Sequence, residues 1–265
     1  MVINNESKNS LYKKTNDYLD SILELTKETK ARFAPIGVEQ IKQLNAKAKT
    51  SKFRFYYTYL ANQLFSFWTD LEFIDYSLRF VEPKYVILAS RTFFERATRI
   101  QYVIKLGEIE GDKLCKEEFP SIISRYYNSA GGAEMVEAKE SFKEDCQRLY
   151  QINIDEYKPK GKIFPNMDVM LNLLYNKEDC DLYWFYKDFS EFAHGNVPMN
   201  YMATDNYKNS IPLILGFLVD TVERVDSRLD SSKKLKEEIV WFHNQIKALN
   251  PPDLESDWKN IFMPE

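Results

Sequence analysis

The sequence predicts an all-α fold, a multi-helix bundle of eight to ten helices. Three observations carry that expectation. Only 8 glycines occur among 265 residues, too few for a turn-dense β protein. Apolar residues recur at spacings of three and four along most of the chain, and no segment alternates with period two. Prolines fall between these periodic segments or in their first turns, where a missing N–H does least harm.

From the N-terminus, the pattern predicts a helix over about 10–32 and a shorter one over 36–48, parted at Pro35. A long helix over 52–80 carries Phe53, Tyr56, Leu60, Leu64, Phe67, Leu71, Ile74 and Leu78 as one core-facing stripe. After Pro83 a second strong helix runs to about Leu106, and helices at 112–128 and 133–151 flank the break at Gly131-Gly132. Residues 152–165 read as a loop. Helices follow at about 167–176, 180–194, 211–230 and 233–249. Residues 1–249 read as one helical domain, in which 1–50 lie peripherally across a core bundle of 51–249, and 250–265 form a polar, proline-led tail. The helices at 52–80, 84–106, 180–194 and 211–230 are expected at the centre.

The net charge of −4 excludes the global basic field of a nucleic-acid coat protein, although residues 1–54 carry 11 Lys+Arg against 6 Asp+Glu. Cys115, Cys146 and Cys180 are odd in number and widely spaced, so no disulfide framework or zinc site is written. The first residues, MVINNESKNS, lack the basic and apolar regions of a signal peptide, and no apolar run approaches the length needed to span a bilayer. A cytoplasmic protein with reduced thiols and no membrane partner is expected. The loop Lys158-Pro-Lys-Gly-Lys162 is not a P-loop, because Ile163 stands where the motif needs a hydroxyl. The aromatic tracts Phe53-Arg-Phe-Tyr-Tyr57 and Tyr183-Trp-Phe-Tyr186 continue helical stripes and read as core.

Two polar constellations interrupt apolar helices. Arg91 and Glu95 stand four apart in Ala89-Ser-Arg-Thr-Phe-Phe-Glu95, close enough to pair. Facing solvent, such a pair is worth about 0.3–0.5 kcal/mol. Buried together, each needs the other, and removing one costs about 3–5 kcal/mol. On the later helix Lys187, Ser190, Glu191 and His194 stand at i, i+3, i+4 and i+7, a single stripe ending where the helix dipole favours imidazolium. Polar groups on apolar helices need partners, so Arg91, Glu95, Ser190 and His194 are expected to meet in space.

The pair of motifs, Ala-x-Arg-x3-Glu ending at Glu95 and Ser-x3-His ending at His194, resembles an uncharacterised bacterial all-helical family, and the resemblance covers some 35 residues. More distantly, Lys187-Asp188 with five residues before His194 is similar to the arginine-polar-x3–5-histidine motif of HEPN-superfamily ribonucleases, many of them toxins or phage-defence proteins. The departure is lysine for arginine, which replaces a bidentate phosphate clamp by a point charge. The resemblance implies metal-independent RNA cleavage with no cofactor, in a homodimer that supplies the second histidine. His194 would act as general base or acid, and Lys187 or Arg91 would stabilise charge on the phosphate oxygens, with Glu95 and Ser190 completing the site. It names no antitoxin or other protein partner. Without the resemblance, Arg91, Glu95, Ser190 and His194 read equally as a buried network that fixes the register of a non-catalytic scaffold. Glu191-x-x-His194 has the spacing of a dinuclear-metal ligand pair, but the only other histidine, His243, has Val240 where a second such pair needs glutamate. No metal is therefore expected.

Overall fold

A computed structural model describes residues 5–80, 83–129, 136–158, 163–176, 181–193, 206–229 and 233–249. Among these residues every long element is helical, and the fold is an all-α bundle of eight α-helices. They are α1 (Asn5–Thr50), α2 (Arg54–Phe80), α3 (Pro83–Ser129), α4 (Val136–Asp145), α5 (Met167–Tyr175), α6 (Asp181–Ala193), α7 (Asn206–Asp226) and α8 (Lys233–Ala248). A π-helical turn, Cys146–Tyr150, extends α4.

Pairwise contacts give the direction of each helix. Lys30 on α1 pairs with Asp75 on α2 at 2.7 Å, while the Lys47 ammonium lies over the Tyr57 ring, so α1 and α2 are antiparallel. Phe67 stacks on Phe93 at 4.3 Å while Tyr57, earlier on α2, reaches Glu108, later on α3, so α3 runs antiparallel to α2. Phe94 meets Phe217 and Gln101 donates to Thr221, so α7 runs parallel to α3. Gln40 donates to the Val222 carbonyl and ties α1 to α7 as well. α8 covers α1 through Phe33–Phe242 and Arg32–Glu238.

The stripe expected on α2 is the core: Tyr56, Leu60, Leu64, Phe67, Leu71 and Ile74 are fully buried, with Phe53 and Leu78 packed at its edge. The N-terminal residues depart from expectation. They form one helix through Pro35, and this helix is central, because Ile22, Phe33 and Leu44 are fully buried against α2, α7 and α8. Proline deletes one backbone bond, and packing along both flanks of α1 offsets that loss. Gly37 makes the packing possible, since a Cβ there would stand 2.1 Å from Nε1 of Trp68. α1, α2, α3 and α7 thus make the centre, and α6 lies outside it against α3.

The expected break after Leu106 is present as a kink within α3. Gly107 adopts φ 77° and ψ 179°, a region that glycine alone enters without cost. Beyond the kink, α3 turns across the start of α2. There Asp112 accepts a hydrogen bond of 3.0 Å from the Tyr56 amide, and Glu108 accepts one from the Tyr57 hydroxyl. α2 has no acidic residue in its own first turn, so its orphan amides and positive dipole end are answered by a carboxylate from another helix. α7 begins before the expected position and carries Pro212 in its second turn.

Candidate functional site

α6 retraces α3. Tyr175, at the end of α5, reaches Gln101 and Asp220, and eleven residues later Tyr186 reaches Glu95, so the chain descends along α3 toward its start. Leu182 and Phe189 anchor α6 in the core. Tyr186 is held flat by Phe94, with ring centroids 6.4 Å apart, and Phe94 in turn packs on Phe217. This aromatic ladder brings the Tyr186 hydroxyl to Glu95, the residue after Phe94.

Glu95 Oε1 accepts from the Tyr186 hydroxyl at 2.9 Å and from Arg91 Nε at 3.2 Å. The expected Arg91–Glu95 pair is therefore formed, and a tyrosine from the second motif helix joins it. The side chains of Arg91 and Glu95 are 24% and 27% exposed, so the pair lies at the mouth of the α3–α6 seam and is neither enclosed nor freely solvated. The Tyr186 hydroxyl is pushed above its ordinary range by burial first and by the Glu95 carboxylate second, while Arg91 opposes. It stays protonated and serves Glu95 as a donor.

Ser190 follows Tyr186 by one turn on the same face and is half-buried. Lys187 stands beside that face with its side chain exposed and its ammonium 4.8 Å from the exposed Trp184 ring. His194 lies outside the described residues, one helical turn beyond Ser190 in sequence. The seam thus unites Arg91 and Glu95 with Tyr186, which was read from sequence only as core. The sequence carries a signal for it: Tyr186 is four residues before Ser190, so it lies one turn before Ser190 on the same face.

Other chemistry-bearing groups lie apart from the seam. Cys115 and Cys146 are buried and free, and burial raises both thiols, which suits inert packing residues rather than nucleophiles. Cys180 and most of the lysine loop at 158–162 fall outside the described residues. A groove of about 670 Å³ lies along α4, the π-turn and residues 152–154. Its cations are engaged locally, Lys143 with Glu140 and Asp155, and Arg148 with Asp145. Among the described residues, no group of three or more His, Cys, Asp or Glu is placed to hold a metal ion, and no helix is long and apolar enough to cross a membrane. Comparison with protein-family models, curated proteins and solved structures gives no match.

Proposed function

We propose that the protein binds and cleaves RNA along the α3–α6 seam by a metal-independent route, in the manner of HEPN-superfamily ribonucleases and in a toxin or phage-defence role. The observation that carries this reading is the openness of the seam. An Arg–Glu–Tyr cluster sits on two apolar helices at a point solvent can reach, beside an exposed lysine and next to the sequence that leads to His194. Substrate can approach such a cluster, whereas a purely structural network is usually enclosed.

In the proposed reaction a ribose 2′-oxygen attacks the adjacent phosphorus as its proton passes to a base, and the 5′-oxygen leaves as it gains a proton. His194 is assigned one of these transfers, and a histidine of a second copy the other. Arg91 and Lys187 stabilise the charge growing on the non-bridging oxygens. Glu95, held by Tyr186, positions Arg91, and Ser190 hydrogen-bonds the phosphate or His194.

The test is incubation of the full chain with single-stranded RNA in EDTA. Cleavage leaving a 2′,3′-cyclic phosphate is expected, and His194→Ala should abolish it with the far-UV spectrum unchanged. Cleavage that persists in His194→Ala would refute the role of His194, and no cleavage of any RNA would refute the reaction. A second reading, a non-catalytic scaffold, is favoured by one observation: Arg91, Glu95 and Tyr186 satisfy one another across the α3–α6 contact, as a pin of helix register would.

A further inference from the structure

The outer face of the α2–α3 hairpin is aromatic and exposed. Phe65, Phe73, Tyr76 and Phe80 project from α2, and Tyr85 and Leu88 continue the face onto α3; Phe65 and Phe80 are 64% and 72% exposed. Tyr76 and Phe80 pack on each other, with ring centroids 5.3 Å apart, and both stay more than half exposed. Scattered exposed apolar residues need no explanation, but a continuous ridge on one helix does.

The spacing of the ridge is close to a palindrome. In an antiparallel pair of α2 helices centred between Glu72 and Phe73, Phe65 faces Phe80 of the other copy, Thr69 faces Tyr76, and the two Phe73 rings flank the axis. Two polar groups along the ridge are already engaged within the chain. The Thr69 hydroxyl donates to the Phe65 carbonyl at 3.2 Å, leaving its methyl for a partner. Glu72, at the rim near the axis, is neutralised by Lys30 at 2.8 Å. At the size of aromatic side chains the six residues expose roughly 600 Å² of apolar surface. Two copies would therefore bury about 1,200 Å², the lower bound for a stable interface.

We propose that this face pairs two copies of the chain, α2 against α2 in antiparallel register about a two-fold axis beside Phe73. The proposed cleavage also draws its second histidine from a second copy, so a monomeric chain would refute both readings. A dimer that does not cleave refutes the reaction alone, and a cleaving dimer indifferent to Phe73→Glu refutes this face alone.

Sedimentation equilibrium of the full chain at tens of micromolar should give twice 31.4 kDa. Phe73→Glu sets two like charges at the axis and should weaken pairing by roughly 100-fold, giving a folded monomer. Phe80→Lys should also weaken it, and adding Phe65→Glu should recover part of that loss, because each lysine then faces a glutamate of the other copy. The charge pair keeps the test decisive if Phe73→Glu fails to fold. A monomeric parent chain would overturn the proposal and assign the ridge to another occupant. A dimer indifferent to Phe73→Glu, or a double variant no tighter than Phe80→Lys alone, would overturn it as well.

Discussion

Removing the Glu95 carboxylate tests how the seam is built. Glu95→Ala deletes an acceptor shared by Tyr186 and Arg91. A hydrogen bond to a charged group contributes about 1.5–3 kcal/mol, and the side chains here are about a quarter exposed, so the lower part of that range applies. The i,i+4 ion pair adds about 0.3–0.5 kcal/mol, and a similar amount is recovered because alanine is the better helix former. The expected loss is about 2 kcal/mol, below the ~3–5 kcal/mol of a fully buried pair, because Arg91 can turn to water when its partner is gone. Equilibrium urea unfolding of Glu95→Ala, Tyr186→Phe and the double variant measures this, with a coupling near 1 kcal/mol expected from the cycle. A loss above ~4 kcal/mol would show an enclosed network and refute the open seam. A coupling indistinguishable from zero would refute the Tyr186–Glu95 contact.

Two further outcomes follow from packing and charge. Gly37→Ala drives a methyl into the Trp68 indole and should cost about 1–3 kcal/mol, read as a lower thermal midpoint; an unchanged midpoint would mean that α1 and α2 are not in such close approach. Burial alone would raise the Asp75 carboxyl, but Lys30 and Arg79 outweigh it and hold the group below the usual carboxylate range. Its folded pKa lies below the unfolded value, so its contribution is complete above about pH 4 and is lost as pH falls through the folded pKa. Asp75→Asn should therefore lower stability at pH 7 and flatten its acid dependence, and parallel pH profiles for parent and variant would contradict the assignment.

Much of the architecture is legible from local pattern, and the departures have physical causes. Leu60, Leu64, Phe67, Leu71 and Ile74 are buried because their period matches the helix, whatever packs on them. The kink at Gly107 is legible for the opposite reason, since an interruption in an apolar pattern beside a glycine is local information. Pro35 misleads because its cost is local while the compensation comes from α2, α7 and α8. The basic excess of residues 1–54 does not keep α1 at the surface, because one face of α1 holds Ile22, Phe33 and Leu44 while Lys30 pairs with Asp75 on α2 and Arg32 with Glu238 on α8. In the seam, the Arg91–Glu95 pair is local and legible. Tyr186 is not, because an aromatic on an apolar helix reads as core until the partner of its hydroxyl is known.

The carboxylate at the start of α2 comes from 56 residues further along the chain. An ordinary cap is a neighbour in sequence and forms as soon as its helix does. Here the first turn of α2 gains its acceptor only after α3 has formed, bent at Gly107 and folded back. Fraying of that turn is thus governed by detachment of the distal arm of α3 rather than by local propensity. The opening of α2 at Tyr56 and the release of residues 108–129 are therefore expected to form one cooperative unit, two segments remote in sequence whose amide protons should exchange together.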